Sequence, residues 1–215
     1  MVNSRQRVLG VILAGGQSSR YGTDKAFVSL AGRNLIDHVI ARIMPQVDEL
    51  LISAGDDPRF AALGLPIVTD TAHDGEGQPA GPLAGVLAAL DWMAEHVPDA
   101  GWLATSTIDT PFLPVDLVAR LRAAVEGPLA GQGAVMACSR SGGRLHPLHA
   151  LWSPSLRLEL RDALQRGERA VTGFAERNGA VSVDFSIEPF DPLANVNTPA
   201  DLDSLARQMA IRPGA

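Results

Sequence analysis

Cysteine is almost absent from this chain: Cys138 stands alone among 215 residues. Neither an intramolecular disulfide nor a cysteine-rich zinc site can be built from it, which suits a reducing, cytoplasmic setting. Long apolar runs are missing as well. No stretch approaches the roughly 18 residues of a membrane span. The apolar stretch Val8–Ala14 follows two arginines, as in a signal peptide, but it is short and interrupted by Gly10; it reads better as a buried first strand. There is no basic excess, since 18 Lys and Arg face 24 Asp and Glu for a net charge of −6. That argues against a general nucleic-acid binder with a basic face. It leaves room for a small anionic ligand, because a few cations in one cleft outweigh a diffuse negative surface. Also lacking are a Ser-His-Asp ordering, H-E-x-x-H and C-x-x-C, so hydrolase and zinc-enzyme readings have no support. Tandem repeats, low-complexity tracts and coiled-coil heptads are absent too.

A chain of 215 residues is most simply one domain, large enough to bury roughly 70% of its unfolded surface without a staple. Apolar runs predict strands at 8–14, 49–54, 66–69, 101–107, 133–138 and 180–185. Helical spacing recurs at Ile36, Val39, Ile40 and Ile43, at Leu83, Val86, Leu87 and Leu90, and at Val118, Leu121 and Val125. A last helix opens with Thr198 as cap and Pro199 in its first turn, turning Leu202, Leu205 and Met209 inward. Loops are expected at 73–82, 126–133 and 139–144. Strands alternating with helices predict an α/β fold with a mainly parallel sheet. In such sheets ligands sit beyond the carboxyl ends of the strands. Four polar segments follow strands here: "GGQSSRYGTDK", "SAGD", "TDTAHDGEG" and "IDTPF". They predict one functional rim.

The first of these segments fits neither common nucleotide fingerprint. A Walker A loop would put Lys directly after Gly22, whereas Thr23 and Asp24 intervene before Lys25; a dinucleotide loop would separate Gly15 from Gly16. Its chemistry is still that of a phosphate cradle. Glycines let backbone amides close on an anion, Arg20 offers a fork, Lys25 a point charge, and Ser18, Ser19 and Thr23 further donors. The plain alternative is a tight strand-to-helix turn with solvated cations. Asp109, right after an apolar strand, is placed to hold a magnesium ion, which needs only one or two carboxylates beside substrate phosphates; it could equally be a turn aspartate before Pro111. In "GPLAG", Gly81 and Gly85 leave room for either a ligand or a close strand. Asn195 and Asn197 in "NVNTP" have amides suited to a polar heterocycle, and equally suited to a turn. His146 and Arg144 in "RLHPLHALW" are candidate ligand contacts, with a satisfied core histidine as the alternative. Trp92, Trp102 and Trp152 read as core.

Taken together these segments resemble the molybdenum cofactor guanylyltransferases, within the wider group of small nucleotidyltransferases. Residues 13–25 match the pattern L-A-G-G-x-S-x-R-x-G-x-D-K throughout, and "GPLAG", "DTPF", "GERAV" and "NVNTPADL" follow in the family's order. The resemblance spans about 8–206. It implies a Rossmann-like three-layer nucleotidyltransferase domain over 1–215 that joins GTP to molybdopterin and releases pyrophosphate. Leu13, Ala14 and Gly15 would then contact guanine, Lys25 the phosphates, and Asp70 and Gly81 the nucleotide. Lys25, Arg20 and Asp109 would be catalytic, with Asp109 holding Mg²⁺ or Mn²⁺, and Asn195 and Asn197 would lie toward the pterin. Molybdoenzymes or cofactor-delivery proteins are the implied protein partners, with no nucleic acid and no membrane. Two positions depart from the pattern: Tyr21 replaces a usual methionine, and Ser53 replaces a nucleotide-contacting asparagine of some members. Two rivals stay open, a related enzyme using CTP or a sugar or polyol phosphate, and a non-catalytic nucleotide or cofactor carrier.

Overall fold

The computed structural model describes residues 6–15, 25–55, 58–69, 81–127 and 133–211. In chain order its strands are β1 (Arg7–Leu13), β2 (Ser29–Leu30), β3 (Arg33–Asn34), β4 (Glu49–Ser53), β5 (Ile67–Val68), β6 (Ala100–Thr107), β7 (Met136–Ser141), β8 (Arg144–Trp152) and β9 (Val181–Phe185). The helices are α1 (Leu35–Ile43), α2 (Pro58–Ala61), α3 (Pro82–His96), α4 (Leu117–Glu126), α5 (Leu156–Gln165), α6 (Val171–Arg177) and α7 (Pro199–Ile211). Among the described residues, no helix is long and apolar enough to cross a membrane.

Seven strands form one sheet in the order β5-β4-β1-β6-β8-β7-β9, while β2 and β3 make a separate small ribbon. Strand β1 lies parallel to both β4 and β6, and β8 is antiparallel to both of its neighbours. The run "VLGVIL" suits the interior of a parallel sheet, where both faces are covered. Alternate residues divide between two cores. Leu9, Val11 and Leu13 join α3, α5 and α6 on one face, whereas Val8 and Ile12 join α1 and α4 on the other. The result is the expected three-layer α/β sandwich.

Two features of the sheet differ from the sequence-based expectation. The segment expected as a loop at 139–144 is the tip of a hairpin: β7 continues to Ser141, and Gly142 and Gly143 turn the chain with φ of 53° and 79°. Positive φ at both central residues is what a two-residue hairpin turn of type I′ requires. The following "RLHPLHALW", outside the expected strands, is β8. Its polar residues and internal proline mask the alternation by which a strand is recognised.

Strand β8 is irregular. Cys138 faces Ala150 but the next residue, Ser139, faces His146, so Pro147, Leu148 and His149 have no counterparts on β7. On the other side, pairing with β6 runs from Leu103 only to Thr105, opposite Ala150. The chain therefore peels away from both neighbours at the carboxyl end of β6. Pro147 is at home there, since it has no N–H to give a ladder.

Candidate active site

Three segments far apart in sequence meet at the carboxyl ends of β1 and β6. Lys25 opens a 3-10 turn (Lys25–Phe27) before β2, Asp109 lies in the turn after β6, and Asn195 and Asn197 precede α7. A small apolar cluster of Leu30, Leu35, Phe112, Val196 and Leu205 binds these segments together. Val196 is fully buried between the two asparagines, and its amide donates to the Asp109 carbonyl at 2.7 Å. The pattern N-V-N thus anchors its middle residue and turns the flanking amides to the rim.

At the centre, Lys25 Nζ donates to Asp109 Oδ2 at 3.1 Å and to Asn197 Oδ1 at 3.0 Å. The lysine side chain is 10% exposed and that of Asp109 20%. So buried a cation needs partners, and it has both a carboxylate and an amide oxygen. Asp109 Oδ1 accepts from the Thr107 hydroxyl. One hydrogen bond on each oxygen still leaves each a lone pair. That donor set fits a divalent cation held mostly by substrate oxygens, as magnesium prefers. Among the described residues, no group of three or more His, Cys, Asp or Glu could form a fuller protein cage.

The N-terminus of α7 shows the turn-building role of "NVNTP". Asp201 Oδ2 accepts from the amides of Asn197 and Thr198, at 2.9 and 2.8 Å, and the Asp201 amide donates to Thr198 Oγ1. This reciprocal cap, above all the Asn197 amide, holds the Asp201 carboxyl below its ordinary range. It also fixes the asparagines.

Beside the rim is a cleft of about 240 Å³ lined by Thr107, Asp109, Asn195, residues 144–149 of β8, and Val171 and Thr172 of α6. The peeling of β8 creates it. His146 is buried, with Nε2 at 2.8 Å from the Ser141 hydroxyl, and burial lowers its pKa. It is the satisfied core histidine, although it also lines the cleft. Arg144 is exposed on the same wall. His149 went unnoticed in the sequence, as did Thr107 and Thr110. Thr110 Oγ1 donates to Asn195 Oδ1 at 3.0 Å and lies 3.0 Å from His149 Nε2. Burial pushes His149 down to about 4, against the opposing pull of the Asp109 carboxylate. The one hint in sequence was Pro147 within an apolar stretch, which marks a bulge or an edge.

The remaining candidates lie around the first strand end. The amides of Ala14 and Gly15 both donate to the Ser53 carbonyl, at 2.8 and 3.1 Å. Those two donors are therefore engaged in the turn. Ser53 is buried against α3, where a Cβ on Gly85 would stand 2.6 Å from Ser53 Oγ. Gly85 thus serves close helix–strand packing, while Gly81 starts α3 with φ of 70°, and no described residue other than its chain neighbours lies within 4 Å of where its Cβ would stand. Arg20 and Asp70, with Ser18, Ser19, Tyr21 and Thr23, lie outside the described residues. Trp102 and Trp152 are core, and Trp92 packs partly buried against it.

Comparison with known proteins agrees with this fold. The family model described as MobA-like NTP transferase domain matches residues 10–180. A protein of Rhodopseudomonas palustris (strain BisB5), named molybdenum cofactor guanylyltransferase, is 45% identical over 205 residues, covering 94% of this chain and 93% of that one. Among solved structures, molybdopterin-guanine dinucleotide biosynthesis protein A from Archaeoglobus fulgidus superposes with a TM-score of 0.70 at 24% identity, covering 95% of this chain and 99% of that one. A Mycobacterium tuberculosis protein solved in complex with manganese has a TM-score of 0.65 at 17% identity, covering 94% and 98%. The two structures share the fold.

Proposed function

The chain belongs to the MobA-like NTP transferase family and is a nucleotidyltransferase, and from that membership we propose that it transfers GMP from GTP to molybdopterin, forming the guanine dinucleotide cofactor and releasing pyrophosphate. The name carried by its relatives supplies the substrate pair. The observation that carries the reading on this chain's own residues is Lys25, held between Asp109 and Asn197 at the strand-end rim.

The acceptor is a phosphate monoester, anionic at neutral pH, so it needs no strong general base. One of its oxygens bonds to the α-phosphorus of GTP, the bond from that phosphorus to the β-phosphate oxygen breaks, and pyrophosphate leaves with the electron pair. Catalysis then rests on positioning and on neutralising charge. Lys25 offsets charge on the departing group, and Arg20 is assigned the same task. Asp109 would hold Mg²⁺ or Mn²⁺, which when bound neutralises nucleotide oxygens. The Lys25–Asp109 pair is electrically balanced, and a metal–nucleotide complex brings an anion for one partner and a cation for the other.

With the Ala14 and Gly15 amides engaged, the groups at this turn that read guanine are carbonyl oxygens, which accept from its N1–H and N2–H₂. Adenine presents an acceptor where guanine has N1–H, so a carbonyl there would face a lone pair. Sites that pair a polar group discriminate strongly against a mismatch, and we expect GTP to exceed ATP by at least about a hundredfold in kcat/KM. Residues 1–215 act as one nucleotidyltransferase domain in the cytoplasm, and molybdoenzymes or cofactor-delivery proteins receive the product. The test is pyrophosphate release from each of the four nucleotides with Mg²⁺ and purified molybdopterin. Release from GTP alone is expected. Equal use of CTP or ATP would sink the guanine assignment, and no release with molybdopterin would sink the acceptor.

A further inference from the structure

His149 carries a group that no other described residue engages. The Thr110 hydroxyl has one proton, and it goes to Asn195 Oδ1. Toward His149 Nε2 the same hydroxyl can only accept, so Nε2 bears the ring proton. Nδ1 is then a bare acceptor, and among the described residues it is buried without a hydrogen-bond partner. His149 is only 2% exposed. A buried acceptor with no donor is costly and calls for an explanation. His149 lines the cleft, together with Asp109 and Asn195 from the rim. Leu145, Pro147, Leu148 and Val171 supply apolar surface beside Thr107, Asp109, Arg144, Thr172 and Asn195, so the cleft offers a polar ring system both stacking surface and hydrogen-bonding groups.

We propose that His149 is a specificity-determining contact for the acceptor, its Nδ1 taking a hydrogen bond from a ring N–H or amino group of a heterocycle bound in this cleft. The inference rests on the pterin-acceptor reading above and adds to it a residue and an atom. The fixed tautomer gives the selectivity: a heterocycle with a donor at that place satisfies Nδ1, and one with an acceptor there meets a second lone pair. The Thr110–Asn195 chain holds the imidazole for that contact. A ligand seated there lies against Asp109, at the rim where transfer takes place.

The experiment uses the full chain and two isosteres. Gln at 149 reaches the place of Nε2 and keeps a donor for Thr110, but has nothing at Nδ1. Asn puts a carbonyl oxygen near Nδ1 and loses the Nε2 donor. Binding of a simple fluorescent pterin, without nucleotide, is titrated by its own emission, and steady-state kinetics are measured with GTP and molybdopterin. His149→Gln is expected to weaken pterin binding and raise the KM for molybdopterin by about tenfold or more, with kcat and the KM for GTP within about twofold. His149→Asn should hold pterin more tightly than His149→Gln does. Pterin binding by His149→Gln equal to wild type overturns the assignment, as does an equal loss of GTP affinity, which would mark a general structural role. Should wild type bind no pterin yet release pyrophosphate from GTP with another phosphate acceptor, the acceptor reading itself fails and the role of His149 with it.

Discussion

Lys25 Nζ divides its hydrogen bonds between Asp109 and Asn197, and each contact predicts a separate phenotype. A charge-assisted hydrogen bond contributes about 1.5–3 kcal/mol. At about 1.4 kcal/mol per decade, Lys25→Ala should lower turnover roughly ten- to a hundredfold, with near-UV circular dichroism unchanged. Near-wild-type kinetics in the folded variant would remove Lys25 from the reaction. Asp109→Asn keeps the size of the side chain and loses the charge that attracts a hard cation. Activity should collapse, with partial recovery in excess Mg²⁺; a metal titration that matches wild type would place the cation elsewhere. The two asparagines, paired by sequence, part company in space. Asn195 lines the cleft and Asn197 holds Lys25. Asn195→Ala is therefore expected to raise the KM for molybdopterin, whereas Asn197→Ala should lower kcat and weaken GTP. Identical kinetic defects in both variants would contradict that division.

At the scale of elements, the position of α3 against the ends of β1 and β4 depends on Gly85. An added Cβ would stand 2.6 Å from Ser53 Oγ and 3.1 Å from Leu13 Cδ2. Ser53 is buried, so its hydroxyl has to turn to another rotamer in a packed environment, and the Leu13 side chain has to yield as well. Overpacking of this kind costs about 1–3 kcal/mol, and a chain of this size loses about 2–4 °C of Tm per kcal/mol. Gly85→Ala should melt several degrees below wild type in differential scanning calorimetry; an unchanged Tm would mean that the contact relaxes freely. Strand β8 is the second decisive element. Were it paired regularly with β6 beyond Thr105, it would cover Thr107 and close the cleft. The three residues without counterparts on β7, Pro147 to His149, keep it open.

Over the whole molecule, burial of a neutral histidine couples stability to pH. The unfolded chain takes up a proton at His149 near the ordinary 6.5, and the folded chain only near 4. Between those values the unfolded state binds more protons, so stability falls as pH drops through 6.5 toward 4 and is fully present above 6.5. At 1.36 kcal/mol per pKa unit the loss is about 3 kcal/mol. Urea unfolding at pH 7 and pH 4.5 should show a larger drop for wild type than for His149→Gln. His146, also lowered by burial, contributes to both proteins alike. Parallel pH profiles would show that His149 charges as readily folded as unfolded. Much of this architecture could be read locally. The strand-helix alternation, the apolar stripes of α1, α3 and α4 and the cap at Thr198 all depend on periodicity and on neighbours a few residues away, which a sequence displays directly. The hairpin at Gly142–Gly143 was also within reach, had the glycine pair been taken as a two-residue turn rather than a loop. The meeting of Lys25 with Asp109 and Asn197, 84 and 172 positions away, was not. Their types and order suggested a shared site, but contact and burial follow from how the cluster around Val196 packs. The cleft and the unpaired nitrogen of His149 were decided by tertiary structure alone. Strand register is a relation between two strands, and a polar atom's need for a partner is known only once every other partner has been assigned.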